Sequence, residues 1–319
     1  MKNKDTLSDL FIYPLKMLFI NKKLDKRLIQ EIRVRTDNPV TVVYGGREFF
    51  AEMSGEISLH KEAAVTATKD MIRDMMQIFS SYSLYAFEDE IKQGFLTIPG
   101  GHRVGICGKT VLDSEKIKTI KYISSINIRM SHEIKGCADG VIDHLYEGER
   151  LYNTLIAGAP CAGKTTLLRD IIRQMSDGSV RHRGVNISVI DERSEIGACY
   201  MGIPQNDIGI RTDILDCCPK KEGLMMLLRS MAPEVIAIDE IGNEDDYFAL
   251  RSALYCGCKL IATVHGYDYE ELLGKPLLKA MIEDGVFERF VILNAGTKRV
   301  DKILDKSGNQ IFTGGNKIC

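Results

Sequence analysis

Two hydrophobic patterns divide the chain. From about Ser131 onward, apolar residues come in short unbroken runs: NTLIA (153–157), VNISVI (185–190), EVIAI (234–238), KLIATV (259–264) and RFVIL (289–293). Strands that lack polar alternation are buried on both faces, as a parallel sheet flanked by helices requires. Helical segments separate the runs, so residues 131–319 read as one α/β domain with a mainly parallel sheet. Before Ser131 the elements are shorter and mixed. VTVVY (40–44) reads as a strand, and 63–80 as a helix whose core face carries Val65, Ile72, Met75, Met76 and Phe79 at three-and-four spacing. FLTIPGGHRVGI (95–106) reads as a hairpin around Pro99-Gly100-Gly101, and the strand YISSINIRM (122–130) closes the region. Residues 1–130 therefore form a smaller α+β domain. The tail, 306–319, is polar and Gly-rich and reads as an edge strand or a loose end.

Composition narrows the picture. A 319-residue chain with 45% hydrophobic residues can build a sizeable core. Its 42 basic and 44 acidic side chains leave no overall positive field of the kind that draws a protein onto nucleic acid. The run LFIYPLKMLFI (10–20) contains Pro14 and Lys16 and falls short of the ~20 residues of a membrane-spanning helix. It lacks a signal-peptide cleavage pattern and reads as a segment packed on its own domain. The nine cysteines include no CxxC pair and no zinc-like spacing with histidine, so they read as reduced thiols of a cytoplasmic protein.

The candidate chemistry sits in the second pattern. Gly158, Gly163, Lys164 and Thr165 fit G-x-x-x-x-G-K-[ST], directly after a buried run and directly before the helical TTLLRDIIRQM. In such a loop, glycines let backbone N–H groups approach a phosphate and the following helix presents its positive end. The cradle comprises Gly158, Ala159, Pro160, Cys161, Ala162, Gly163, Lys164, Thr165 and Thr166. Lys164 would neutralise phosphate oxygens, and the Thr165 hydroxyl would ligate magnesium. Downstream, PEVIAIDEIG (233–242) is an apolar strand ending in Asp239 and Glu240. There an acid helps hold Mg2+, and a neighbouring glutamate can activate water. VIDERSEIG (189–197) adds Asp191, Glu192, Arg193 and Glu195, while ATVHG (262–266) adds Thr263 and His265. Ligands of open parallel sheets collect at strand carboxyl ends, so these ends point to one ATP and Mg2+ site.

With these motifs placed, the chain resembles the secretion ATPases of the type II and type IV systems, within the RecA-like P-loop ATPase superfamily. LLRSMAPEVIAIDEIG resembles their segment leading into the Walker B strand, DERSEIG their acidic box and ATVHG their histidine box. The chain is more closely similar to the stage III sporulation protein AA family. YAFEDEIKQGFLTIPGGHRVGICGK, IKYISSINIRMSHEIKG, GKTTLLRDIIR, DERSEI, QNDIGIRTDILD, RSMAPEVIAIDEIG and TVHG carry that likeness from about residue 82 to 266, and EIRVRTDNPV (31–40) agrees.

The resemblance implies a cytoplasmic ATPase of endospore-forming bacteria that energises or assembles a channel between mother cell and forespore. It implies a homo-oligomeric ring, a hexamer being one form. Membrane proteins of the channel complex would hold it at the inner membrane on the mother-cell side. Glu240 is the first choice for water activator and Glu195, in the acidic box, the second, with His265 sensing the γ-phosphate. Transition-state charge calls for further arginines. Arg129 and Arg103 in the first domain and Arg211 and Arg229 in the second are the candidates.

Two departures stand out. The loop interior APCA lacks the second proline and glycine common in relatives, so Cys161 puts a thiol beside the phosphates. Secretion ATPases usually have glycine where this chain has Asp239. A nucleic-acid translocase or loader of the RecA-like class is the alternative function. A nonhydrolysing nucleotide switch is disfavoured by the joint presence of Lys164, Thr165, Asp239, Glu240 and Glu195.

Overall fold

The computed structural model describes residues 7–83, 87–113, 115–314 and 318. The chain forms two compact units, 1–132 and 133–319.

The first unit is built on a seven-stranded sheet. Its strands are β1 (Ile29–Arg35), β2 (Thr41–Tyr44), β3 (Arg47–Ala51), β4 (Ile57–Ser58), β5 (Phe95–Ile98), β6 (His102–Asp113) and β7 (Lys116–Arg129), in the order β4-β3-β2-β1-β7-β6-β5. All the pairings are antiparallel. One sheet face takes Ile32, Val34, Val42, Leu96, Ile98, Val104, Ile126 and Ile128 out of water. Among the described residues, its α-helices are α1 (Lys16–Ile20), α2 (Lys69–Phe79) and α3 (Glu88–Lys92). The N-terminal apolar run packs on its own unit, with Phe11 stacked on Phe19 at 4.4 Å and edge-on to Phe79 at 6.2 Å.

The helix expected over 63–80 begins only at Lys69. Thr68 caps it by accepting from Met71 N–H, while Ala64 and Thr66 form β-bridges to Glu52 and Pro39. Val65 is thus buried by strand-like pairing, whereas Ile72, Met75, Met76 and Phe79 supply the helix's core face. The strand expected over 122–130 is longer, because β6 and β7 continue outward together as a ribbon.

The second unit carries β10 (Thr154–Gly158), β11 (Ile187–Asp191), β12 (Thr212–Asp216), β13 (Val235–Ile238), β14 (Lys259–His265), β15 (Arg289–Asn294), β16 (Arg299–Asp305) and β17 (Gln310–Thr313), after a small hairpin of β8 (Tyr146–Glu147) and β9 (Arg150–Leu151). The sheet order is β12-β11-β13-β14-β10-β15-β16-β17. The pairings from β12 through β15 are parallel, and β16 and β17 add an antiparallel edge. Its helices are α4 (Lys164–Asp177), α5 (Lys220–Ser230), α6 (Glu244–Tyr255), α7 (Tyr269–Gly274) and α8 (Pro276–Glu283).

Successive strand residues enter opposite cores. Ile156, Val189 and Ala237 pack with Leu167, Leu168 and Ile171 of α4, while Leu155, Ile190 and Ile236 pack with Leu224 of α5, Leu250 of α6 and Met281 of α8. Every residue of β10, β11 and β13 is buried, which explains their unbroken apolar runs. With both faces covered, only the strand ends are left to meet ligand. The edge strand β12 escaped the run-based reading because TDILD is only partly buried. Of the tail, Gln310–Thr313 is the edge strand β17, while 315–317 and 319 lie outside the described residues, as do the first residues of the YAFEDEIK block.

Candidate functional site

Four adjacent parallel strands, β11, β13, β14 and β10, bring their carboxyl ends to one edge of the sheet. Gly158 and His265 end their strands in register with each other. The loop after Gly158 turns through two left-handed residues, Cys161 at φ 61° and Gly163 at φ 98°, before α4 starts at Lys164. Gly163 suits this conformation without steric cost, whereas Cys161 does not. A Cβ on Gly158 would come within 3.0 Å of Leu293 Cβ, so the strand end is tight as well. Pro160 and Cys161 are exposed at the top of the loop, Ala159 and Ala162 are buried beneath it, and Thr166 lies half-buried in the first turn of α4.

Lys164 is buried, and its Nζ donates to the carbonyls of Gly158 and Ala159, both at 3.0 Å. Burial lowers its pKa, opposed by the nearby Asp239 and Glu240. The same Nζ faces His265 Nδ1 at 3.1 Å. His265 Nε2 lies 3.0 Å from Glu240 Oε1, and Arg193 meets Glu240 Oε2 at 2.8 Å. Lys164, His265, Glu240 and Arg193 therefore form one continuous polar chain.

Beside it, Thr165 Oγ1 donates to Asp239 Oδ2 at 2.8 Å, and Thr263 Oγ1 donates to Asp239 Oδ1 at 2.5 Å. Thr263 Oγ1 in turn accepts the Glu240 N–H at 2.8 Å. That bond fixes Glu240 where its backbone is left-handed, at φ 57°. Two hard oxygen donors, the Thr165 hydroxyl and the Asp239 carboxylate, thus lie next to a lysine. This donor set fits a magnesium ion that takes its other ligands from phosphate and water. Among the described residues, no group of three or more His, Cys, Asp or Glu side chains could hold a metal.

The acidic stretch after β11 is a turn. Asp191 is buried, and its carboxylate accepts the N–H groups of Glu195, Ile196 and Gly197 at 2.8 to 2.9 Å. Burial pushes this carboxyl up to about 6, against those hydrogen bonds. Glu195 itself is exposed.

The four arginine candidates separate. Arg211 is not brought to the phosphate loop. It precedes β12, at the amino-terminal side of the sheet, and its Nη1 donates to Ser176 O at 2.8 Å at the far end of α4. A helix rises about 1.5 Å per residue, so that end lies roughly 20 Å from Lys164. Arg229 is exposed in the last turn of α5, which leads back to the amino end of β13. Arg103 and Arg129 pair across β6 and β7 in the first unit. Arg103 stacks over the Phe95 ring at 3.5 Å, and Arg129 lies 3.7 Å from Glu31.

Sequence reasoning assigned no role to Arg169, whose guanidinium binds the acidic turn, or to Lys275, whose Nζ donates to His265 O at 2.6 Å. The signal for Arg169 was a cation inside the apolar LLRDII stretch, which needs a partner when its helix is buried.

A family described as "Sporulation stage III, protein AA" matches residues 1–311. Stage III sporulation protein AA of Bacillus subtilis (strain 168) is 40% identical over 294 residues, covering 91% of this chain and 92% of that protein. Among solved structures, the pilus retraction motor PilT with bound ADP aligns with a TM-score of 0.57 at 13% identity, over 86% of this chain and 77% of that one. The Legionella pneumophila ATPase DotB aligns with a TM-score of 0.54 at 16% identity, over 87% and 74%. At such identities the two structures show the fold alone, a RecA-like P-loop ATPase fold. No helix among the described residues is long and apolar enough to cross a membrane.

Proposed function

Because this chain belongs to the family of sporulation stage III, protein AA, we propose that it hydrolyses ATP to energise or assemble a secretion-like channel between mother cell and forespore. The observation that carries the ATPase reading is the Thr165–Asp239 hydrogen bond of 2.8 Å beside the buried Lys164, inside a phosphate loop that fits its motif without a mismatch. Magnesium, when bound with ATP, would draw charge off the phosphate oxygens.

The chain's own residues do the rest. Residues 158–166 cradle the phosphates through backbone N–H groups, Lys164 exchanges its carbonyl partners for phosphate oxygens, and Thr165 and Asp239 hold the cation. Glu240 is the first choice for orienting and deprotonating the attacking water, because Thr263, His265 and Arg193 all fix its position. Glu195, on the neighbouring turn, is the second choice. His265 spans Lys164 and Glu240 and is placed to register a γ-phosphate.

Assembly into a homo-oligomeric ring, with Arg129 and Arg103 closing over nucleotide, belongs to the same proposal and rests on the family likeness. So do action in the cytoplasm and attachment to the membrane through partner proteins.

The test is ATP turnover by the purified protein against Lys164→Ala. Lys164 faces the loop rather than the apolar cores, so the variant is expected to fold and to lose turnover by ~100-fold or more. Equal hydrolysis by the two proteins would refute the ATPase reading.

A further inference from the structure

The turn after β11 carries Arg193 and Glu195 yet belongs to no regular element. Two of its residues, Ser194 at φ 53° and Ala198 at φ 45°, adopt left-handed backbone without being glycine. Such conformations cost free energy and persist only where their surroundings hold them. Here the holding comes from two sides. The strand side is Asp191, whose carboxylate takes the three N–H groups of residues 195–197. The helix side is Arg169 of α4. Its Nε donates to Ile196 O at 2.7 Å and its Nη2 to Glu195 O at 2.6 Å. Asn206 Nδ2 adds a bond to Ile196 O at 2.9 Å.

Arg169 emerges from a helix whose neighbouring residues Leu167, Leu168, Ile171 and Ile172 are all buried. Placing a guanidinium among them costs desolvation, and burial is the main reason its pKa is lowered. The planar fork satisfies two carbonyls at once, which a flexible ammonium could not do with the same geometry. Its location is informative as well. It lies about a turn and a half from Lys164 along α4, and the carbonyls it binds belong to the turn that presents Glu195 and Arg193. Arg193, in turn, grips Glu240 at 2.8 Å.

We propose that Arg169 is a positioning residue that ties the acidic turn to the phosphate-loop helix, so that Glu195 directly, and Glu240 through Arg193, hold their places relative to Lys164. The catalytic consequence rests on the ATPase reading. The mechanical part does not.

The experiment pairs two readouts on the full chain with Arg169→Ala and Arg169→Lys. The first is amide hydrogen exchange of Glu195, Ile196 and Gly197, with the amides of β10 and β13 as internal references. Arg169→Ala is expected to speed exchange in the turn by ~10-fold or more while the reference strands stay protected, as for a local opening. The second is steady-state ATP hydrolysis, with KM within ~3-fold of wild type and kcat lower by ~10- to 100-fold, the scale of a misplaced catalytic group. Arg169→Lys, which keeps the charge and a single donor nitrogen but loses the planar fork, should recover part of both. Unchanged exchange in the turn overturns the proposal whether or not the protein hydrolyses ATP. A loosened turn with normal kcat in an active protein overturns its catalytic part. A wild type with no turnover would sink the ATPase reading alone, and the exchange result would still decide the positioning role. Should Arg169→Ala fail to fold, Arg169→Lys and Arg169→Gln carry the same comparison.

Discussion

The two sheets are nearly equal in strand number and opposite in how they handle polar groups. In the parallel sheet of the second unit, β10, β11 and β13 are buried along their whole length, and the carboxylates Asp191, Asp239 and Glu240 stand at a strand end or just beyond it. In the antiparallel sheet of the first unit, β1 alternates buried and accessible positions, so Glu31 and Arg33 lie within the strand and pair with each other at 2.8 Å. A sheet covered on both faces leaves its polar groups one place to gather, and they gather into a site. A sheet with one wet face spreads its charges over that face, where each pair is worth little. An arginine of the first unit is therefore much harder to read as functional than a carboxylate at the end of β13.

The sharpest test of this contrast is within the polar chain of the second unit. Glu240→Gln and Glu195→Gln should both leave the fold and the affinity for ATP largely intact. The residue that activates water should lose turnover by ~100-fold or more, the usual scale of a missing general base. Glu240 is expected to show that loss. Normal turnover by Glu240→Gln together with a dead Glu195→Gln would reverse the two roles. It would also make Arg193 and His265 partners of a structural rather than a reacting carboxylate.

Legibility followed the same division. Lys164, Thr165 and Asp239 could be read from the chain because a fixed spacing and an apolar strand announce them, and the geometry brings them together. The ion pair of Arg193 with Glu240 spans 47 residues, and the contact of Arg169 with Ile196 spans 27, counting 196 minus 169. No local pattern encodes such partners. In the fold, the unbroken runs revealed β10, β11, β13, β14 and β15, while β12 stayed hidden because it is a half-buried edge. The helix start at Lys69 was missed because Ala64 and Thr66 are claimed by bridges to Glu52 and Pro39, which overrides their helical spacing. Arg211 was a candidate by charge alone, and within its own chain it is held at the far end of α4 from the phosphate loop.

A test of intermediate size belongs to the first unit. His102 is buried, and its Nδ1 accepts the Ser131 N–H at 3.0 Å. Burial, with a contribution from His132, pulls its pKa down to about 4. The folded state thus holds it neutral where the unfolded chain, with an ordinary histidine near 6.5, takes up a proton. Its contribution to stability is fully present above pH 6.5 and is lost as pH falls toward 4. Between pH 7.5 and 5 the loss should be about 2 kcal/mol. The measurement is denaturant unfolding of wild type against His102→Asn, which keeps an acceptor for Ser131 but does not titrate. The stability gap between the two should narrow by that amount on acidification. A constant gap would mean that His102 is not held neutral, and that the wet-faced sheet lacks a strongly perturbed group.

The smallest expected change in stability is also the one that bears on function. Arg129 is exposed, and its partner Glu31 is already engaged by Arg33 through Nε at 3.0 Å and Nη2 at 2.8 Å. Removing Arg129 therefore leaves no buried charge behind, and Arg129→Ala should cost no more than about 0.5 kcal/mol. Arg103 differs, because its guanidinium stacks on Phe95. Arg103→Ala should cost about 0.5 to 1 kcal/mol through that contact alone. If Arg129 closes over nucleotide in an assembled ring, its loss should slow hydrolysis far beyond anything so small a stability change could explain, with ATP affinity nearly unchanged. Wild-type activity should then rise more than linearly with protein concentration as subunits associate. Normal turnover by Arg129→Ala, together with specific activity independent of concentration, would return Arg129 to the ordinary charges of a solvent-facing sheet. Slow turnover at unchanged stability would mark it as a charge on that face that answers to a site rather than to its neighbours.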